Sequence, residues 1–277
     1  LHIPFCDRLC WFCGCNTKHT LKYAPVEAYV GALITELATV REPAGSRLRL
    51  AHLHLGGGSP SMLRRPDFER LSSALREHFD VGPETEISVE IDPSDVTDET
   101  LTGLVALGVT RASVGVQDFS DAVQQAINRP QTFEQTRDVI AALRATGIHS
   151  LNIDALYGLP LQTEERLMAT IEKVLSLSPD RIALFGYAHV PWMKKHQKLI
   201  RDEDLPGTME RFRHAALAAD RIADAGYRRI GIDHFAKPGD TVLAPAGIKH
   251  GFVNRTQEAA KLLAVFPQTS FERVLVD

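Results

Sequence analysis

Short apolar runs rich in β-branched residues alternate with longer segments of helical spacing through most of this chain, and that alternation leaves few folds open to it. Strands are expected near Leu1 to Pro4, Leu50 to Leu55, Glu86 to Ile91, Arg111 to Val116, Ser150 to Leu156, Arg181 to Tyr187 and Arg228 to Asp233. Helices are expected over Val26 to Val40, Pro66 to Phe79, Asp98 to Leu107, Phe133 to Thr146, Glu164 to Leu177 and Thr208 to Ala225. Boundary residues agree: Asp98, Thr132 and Thr163 suit N-caps, while Gly108, Gly147 and Gly226 fall just past helix ends. Six or more β/α units joined by right-handed crossovers make a parallel sheet, so the expected fold is α/β, a partial (β/α)6 TIM-like barrel running to about Asp240.

On such a barrel, functional groups gather at the C-terminal ends of the strands. Gly56, Gly57, Gly58, Ser59 and Pro60 end the second strand; backbone without side chains lets main-chain groups approach a ligand, and equally serves a tight strand-to-helix turn. Glu90 and Asp92 end the third strand, Gln117 and Asp118 the fourth, Asn152 and Asp154 lie on the fifth, and Tyr187, Ala188 and His189 end the sixth. One strand-end carboxylate is commonly a structural hydrogen bond; polar groups at four successive strand ends suggest a site.

After the first strand come Cys6, Cys10 and Cys13. Three closely spaced thiolates can hold a soft metal centre, and a loop giving only three ligands to a cubane iron–sulfur cluster leaves one iron open. Two other readings compete. A disulfide framework belongs to oxidising compartments and small cores, whereas four cysteines stand here in 277 residues without a signal-peptide pattern. A structural zinc site would need Cys15 or His19 as a fourth ligand, and no second Cys-x-x-Cys occurs downstream.

Composition suits a cytoplasmic enzyme: 44% hydrophobic and 24% charged residues, a formal net charge of −4, and no apolar run long enough to span a bilayer. Neither membrane nor nucleic acid is an expected partner. Lys194, Lys195, Lys198 and Arg201 form the densest basic run, either a solvated helix face or a local site for an anion.

The motifs together resemble one family, the oxygen-independent coproporphyrinogen III oxidases of the radical S-adenosylmethionine superfamily. The resemblance runs over about residues 1–240. It rests on His-Ile-Pro-Phe-Cys at 2–6, Cys-Trp-Phe-Cys-Gly-Cys-Asn at 10–16, Gly-Gly-Gly-Ser-Pro at 56–60 and Val-Glu-Ile-Asp-Pro at 89–93. It continues through Gly-Val-Gln-Asp-Phe at 115–119, Asn-Arg at 128–129, Asn-Ile-Asp at 152–154, Tyr-Gly-Leu-Pro at 157–160, Tyr-Ala-His-Val-Pro at 187–191 and Asp-His-Phe-Ala at 233–236.

The resemblance implies that Cys6, Cys10 and Cys13 bind a 4Fe-4S cluster, with Cys15 beside it but not a ligand, and that Phe12 lies against the adenine of S-adenosyl-L-methionine. Gly57, Gly58, Ser59, Glu90, Gln117, Arg129, Asp154 and Ala188 match positions that contact this cofactor, with Ser59 in place of the more usual Thr. The implied reaction is hydrogen-atom abstraction from two propionates of coproporphyrinogen III and loss of carbon dioxide, giving the vinyl groups of protoporphyrinogen IX in heme biosynthesis. It implies a porphyrinogen substrate, an electron donor for the cluster, an unidentified electron acceptor and a monomer. A heme chaperone of the related branch, or an inactive truncated or fused relative, stays open beside it.

Two departures accompany the resemblance. Family members carry a Tyr just before the position of Leu1, and their C-terminal helical region has no counterpart here. From 241 to 277 the sequence changes character: Gly239, Pro245, Gly247, His250 and Asn254 match the spacing of the second cupin motif, and Lys261 to Phe266 reads as a strand. That segment is expected to form a short β-hairpin tail rather than an independent domain, with His250 an orphan rather than a metal ligand and the cleft left open on one side.

Overall fold

The computed structural model describes residues 1–41 and 47–239. The cupin-like tail, with Pro245, Gly247, His250, Asn254 and Lys261 to Phe266, lies outside the described residues. In chain order the elements begin with β1 (His2–Ile3), β2 (Phe5–Cys6), β3 (Lys18–His19), α1 (Ala24–Arg41), β4 (Leu48–Arg49) and β5 (His52–Gly57). They continue with α2 (Arg65–His78), β6 (Phe79–Asp80), β7 (Glu86–Ile91), α3 (Asp98–Leu107), β8 (Arg111–Gln117), α4 (Asp121–Ala126) and α5 (Phe133–Ala145). The last are β9 (Ser150–Tyr157), α6 (Glu164–Ser176), β10 (Arg181–Gly186), α7 (Thr208–Asp224), β11 (Arg228–Arg229) and β12 (His234–Ala236).

One sheet carries the molecule, in the order β1-β5-β7-β8-β9-β10-β12-β11. The first six strands are mutually parallel, as six consecutive β/α units require, while β12 pairs antiparallel with β10 and with β11. The last strand therefore departs from the sequence expectation. Arg228 to Asp233 does not form a further parallel strand, because only four residues separate β11 from β12 and a parallel return needs a crossover of a dozen or more. The chain turns instead, with Ile230 N–H donating to His234 O at 2.9 Å.

Strand alternation sorts the two faces of the sheet. Leu53, Leu55, Ile87, Val89, Ile91, Ala112, Val114, Val116, Leu151 and Ile153 are buried beneath the helices, where the apolar area they remove from water supplies most of the folding energy. Glu86, Ser88, Glu90, Arg111, Ser113, Asn152 and Asp154 occupy the alternate positions, which gives the sheet one polar face that the helices do not cover. Helix packing is close: a Cβ added at Gly103 of α3 would stand 2.3 Å from the fully buried Phe68 ring of α2. Thr97, not Asp98, caps α3, through a reciprocal capping box with Thr100 that leaves Asp98 in the first turn, where its charge still favours the helix. Thr132 and Thr163 cap α5 and α6 as expected, and Gly108, Gly147 and Gly226 all have positive φ just past their helices. No helix among the described residues is long and apolar enough to cross a membrane.

Candidate functional site

The cysteine loop grows out of the first edge of the sheet. Cys6 ends β2, which pairs in parallel with β3, so residues 7–17 form a loop returned to its own base. Lys18 N–H donates to Pro4 O and Thr20 N–H to Cys6 O. The remaining ties come from distant parts of the chain. Trp11 N–H donates to Ile127 O at 2.9 Å, and Asn128 Nδ2 to Leu9 O at 2.9 Å. Gln197 Nε2 reaches both Phe12 O at 2.9 Å and Ala188 O at 3.2 Å. His196 bonds Cys13 O at 2.7 Å, and Lys194 Nζ donates to Cys15 O at 2.9 Å. Trp11 and Phe12 also pack on a small apolar cluster of Val123, Ile127, Leu156, Leu159, Tyr187 and Ile200.

Cys6, Cys10 and Cys13 are all part-buried and all free of disulfides. Burial and the neighbouring Cys13 and Cys10 thiols push the Cys6 pKa up to about 12. Burial likewise raises Cys10 against the pull of Arg129, whose guanidinium lies 3.6 Å from its sulfur. Three thiols that disfavour one another's ionisation, with a cation at hand, suit a positively charged metal centre that replaces their protons. Among the described residues no three His, Cys, Asp or Glu side chains group tightly enough for a single ion; a multi-iron centre, reached by one thiolate per iron, asks for wider spacing. Cys15 does not turn away from this group. Its N–H donates to Cys13 Sγ at 3.3 Å, and hydrogen bonding with the Cys13 thiol lowers its pKa to about 7 while raising that of Cys13.

The strand-end residues meet this loop in one connected arrangement. Arg129, behind α4, donates to Asp92 Oδ2 at 2.8 Å, to Gly115 O at 2.9 Å and to Cys10, leaving its Nε buried without a partner. A Cβ at Gly115 would stand 3.1 Å from both Arg129 and the Gln117 amide, so that glycine makes room for the two side chains. Gln117 has a φ of 67° at the bulge ending β8, a conformation that a non-glycine residue adopts at a cost and mostly at functional sites. Glu90 accepts from Gly57 N–H at 2.9 Å and lies 3.3 Å from His54 Nε2, whose Nδ1 meets Ser88 Oγ at 2.8 Å. Burial opposes the Glu90 charge, but the bonds from His54 and Gly57 outweigh it and hold the pKa below the usual carboxylate range.

Asp154 sits in a closed hydrogen-bond ring. Ser113 donates to its Oδ2 at 2.9 Å, Asn152 donates to its Oδ1 at 2.7 Å, and Asn152 also donates to Ser113 Oγ at 2.8 Å. Burial pushes its pKa up to about 6 despite these bonds, with Glu90 adding to the rise and Arg129 opposing it. The Asn152 carbonyl oxygen is buried and unpartnered beside it.

The glycines do not all act alike. Gly57 has a φ of 114°, and a Cβ there would fall 2.1 Å from His2 Nδ1; one at Gly58 would fall 2.5 Å from Phe5 O. Ser59 is buried, with its hydroxyl committed to Asp95 and Ser61. Burial also raises Asp95 to about 7, against that Ser59 bond and with help from Asp92 and Asp7. Ala188 is exposed one residue past Tyr187, a member of the apolar cluster that Phe12 packs against. Asn128, Gln197 and His54 were given no role from the sequence, and Asp92 was a strand-end candidate with no stated partner. Asp92 shared a strand face with Glu90, which is a usable signal; Gln197 carries none, since its bond to Phe12 O spans 185 residues.

Residues 1–174 match the Radical SAM superfamily. An oxygen-independent coproporphyrinogen III oxidase of Cereibacter sphaeroides is 50% identical over 246 residues, 89% of this chain and 54% of that protein. One from Paracoccus denitrificans is 42% identical over 276 residues, 99% of this chain and 61% of that protein. The solved structure of the Escherichia coli coproporphyrinogen III oxidase, described as a radical SAM enzyme, superposes with a TM-score of 0.83 at 39% identity, over 86% of this chain and 55% of that one. The chain thus spans a little over half the length of these relatives, and with its cysteine loop set against a parallel sheet it belongs to the radical SAM superfamily.

Proposed function

We propose that this chain carries the catalytic core of an oxygen-independent coproporphyrinogen III oxidase, converting two propionates of coproporphyrinogen III to vinyls in porphyrin synthesis. The observation that carries the reading is the joining of Cys10, Arg129, Asp92, Gly115 and Gln117 into one arrangement at the strand ends, beside relatives so named. We assign Cys6, Cys10 and Cys13 to the 4Fe-4S cluster, and Phe12, Gly57, Gly58, Ser59, Glu90, Gln117, Arg129, Asp154 and Ala188 to S-adenosylmethionine. When bound, the cluster and S-adenosylmethionine supply hydrogen-atom abstraction.

The residues of the chain would then hold and shield. Glu90, kept ionised by His54 and Gly57, accepts hydrogen bonds from amino or hydroxyl groups. The Gly57 N–H is already committed to Glu90, so this glycine orients the carboxylate rather than meeting ligand through its own donor. Arg129 keeps its buried Nε without a partner, suited to a carboxylate. Gly58 keeps the loop and strand backbones in contact, and Ser59 helps fix the same turn, its hydroxyl engaged and its N–H donating to Phe5 O. Part-burial of the thiols limits water at the centre. We place the protein in the cytoplasm, where thiols stay reduced, and take it to act as a monomer with separate electron donor and acceptor.

The test is an anaerobic assay after cluster reconstitution, following 5'-deoxyadenosine and protoporphyrinogen together. Formation of both supports the reading. Deoxyadenosine without decarboxylation would shift it to another radical activity, and failure to take up iron and sulfide would remove it.

A further inference from the structure

The cysteine loop is flanked by two lysine- and arginine-bearing runs. Residues 8–23 carry Arg8, Lys18 and Lys22, and residues 190–201 carry Lys194, Lys195, Lys198 and Arg201; the acids that bound these runs are Asp7 on one side and Asp202, Glu203 and Asp204 on the other. The stretches meet at the loop, where Lys194 holds Cys15 O and His196 holds Cys13 O. Arg201 is already paired with Glu203. Lys195 and Lys198 are exposed and have no ion-pair partner among the described residues. Beside them Trp192 is 75% exposed and Met193 71% exposed, and on the loop itself Gly14, Cys15 and Asn16 are exposed.

A solvated lysine face accounts for the cations but not for an adjacent Trp and Met held in water. Aromatic residues and Met are the side chains that anchor protein interfaces, and unpaired lysines beside them favour a partner that brings carboxylates. A partner seated here would come within one side chain of the carbonyls of Cys13 and Cys15. We propose that Trp192, Met193, Lys195 and Lys198, with the exposed tip of the cysteine loop, dock an acidic one-electron carrier protein whose flavin or iron–sulfur group lies near its own surface. The proposal rests on the reading of the site as a cluster-binding centre. In the step it serves, the carrier is oxidised by one electron and the cluster reduced by one; no atom is transferred.

The test compares the intact chain with a Lys195→Glu, Lys198→Glu double variant, neither residue being part of the proposed binding machinery. The probe is reduced flavodoxin, an acidic flavin protein, mixed anaerobically with the reconstituted chain while cluster bleaching is followed. A second reductant, photoreduced 5-deazariboflavin, is small and needs no docking. The double variant should be reduced by flavodoxin about tenfold more slowly at low ionic strength, and the salt dependence seen with the parent chain should largely disappear. Reduction by deazariboflavin should be unchanged. Equal rates with flavodoxin overturn the proposal, and so does equal slowing with both reductants, which would mean a damaged loop. Weakened binding of coproporphyrinogen with flavodoxin reduction intact also overturns it, assigning the cations to substrate carboxylates. Should no cluster form, the functional reading fails separately, and docking is still read from fluorescence. Trp11 is packed and Trp192 exposed among two tryptophans, so oxidised flavodoxin should quench Trp192 in the parent chain and not in the double variant; no quenching in either overturns the surface.

Discussion

Asp154→Asn should make the protein more stable as pH rises, while weakening its hold on ligand. Burial moves the carboxyl from 3.8 to about 6. An acid whose folded pKa is raised gives its stabilising contribution in the protonated form; that contribution is complete below the unfolded value near 3.8 and is lost as pH rises through about 6. The full loss corresponds to about 3 kcal/mol, and screening of a carboxyl that is only part-buried cuts this to about 1–2 kcal/mol. Asparagine carries no charge and escapes this cost. It does disturb the ring, because an amide facing Ser113 Oγ displaces the hydroxyl proton, but that penalty does not depend on pH. The stability of the variant relative to the parent should therefore climb by about 1 kcal/mol between about pH 5 and pH 8, over the part of the transition that lies above pH 5. Urea unfolding of both proteins at several pH values measures the slope. A difference that stays flat with pH would show that Asp154 is not desolvated and would refute the reasoning, whatever the sign of the offset. S-adenosylhomocysteine titration into the same samples should show weaker binding to the variant.

Single Cys6→Ala, Cys10→Ala and Cys13→Ala variants should each lose reconstituted iron and sulfide, whereas Cys15→Ala should retain them; bound iron measures this, and equal loss in Cys15→Ala would make it a ligand. Gly57→Ala should destabilise the chain by at least about 1–2 kcal/mol in thermal unfolding, since it combines a positive φ with a Cβ inside the His2 ring position. His54→Ala should weaken S-adenosylhomocysteine binding about tenfold through a less ordered Glu90, with little change in melting temperature, and His54→Gln should recover part of the affinity. Gln197→Ala should cost about 1–3 kcal/mol by leaving Phe12 O and Val190 N–H without their partner, read by urea unfolding.

Much of this arrangement was legible because it follows from a period of two. Once β7 is recognised in Ile-Ser-Val-Glu-Ile, the shared face of Ser88 and Glu90 is fixed, and so is the burial of Ile87, Val89 and Ile91. The cysteine spacing was legible for the same reason: it is local. What was not legible is contact between residues far apart. Asn128 and Gln197 secure the cysteine loop across separations of 119 and 185 residues, and either could have been a solvent-facing amide. Asp98 and Thr97 show a subtler limit, since both suit an N-cap and only the reciprocal bond with Thr100 decides between them. The hairpin of β11 and β12 was misread because apolar residues in Gly-Ile-Asp continue the strand pattern across the turn. The boundary near residue 240 rests on where the family resemblance ends and cupin-like spacing begins, and the segment beyond it lies outside the described residues.

The segment between β8 and α5 explains how a sheet edge and a cysteine loop become one site. Two non-glycine residues of positive φ bracket α4, Gln117 at 67° and Asn128 at 54°, each a conformation that costs on the order of 1 kcal/mol. Behind the first, Asp118 is fully buried, bonded to Gln162 at 2.7 Å, to Thr170 at 3.1 Å and to Ser120 N–H at 2.6 Å. Gln124 ties the Asp118 carbonyl to Gln131 O from inside α4. A buried network this densely bonded is rigid, because rotation of Asp118 or Gln124 breaks several of its bonds at once. With that base fixed, Asn128 can turn its amide onto Leu9 O, Ile127 O can take the N–H of Trp11, and Arg129 can extend past Gly115 to Cys10. The strain at Gln117 and Asn128 is thus held by a network with no contact to the cysteines, and the position of the loop depends on residues that a search for ligands would not select.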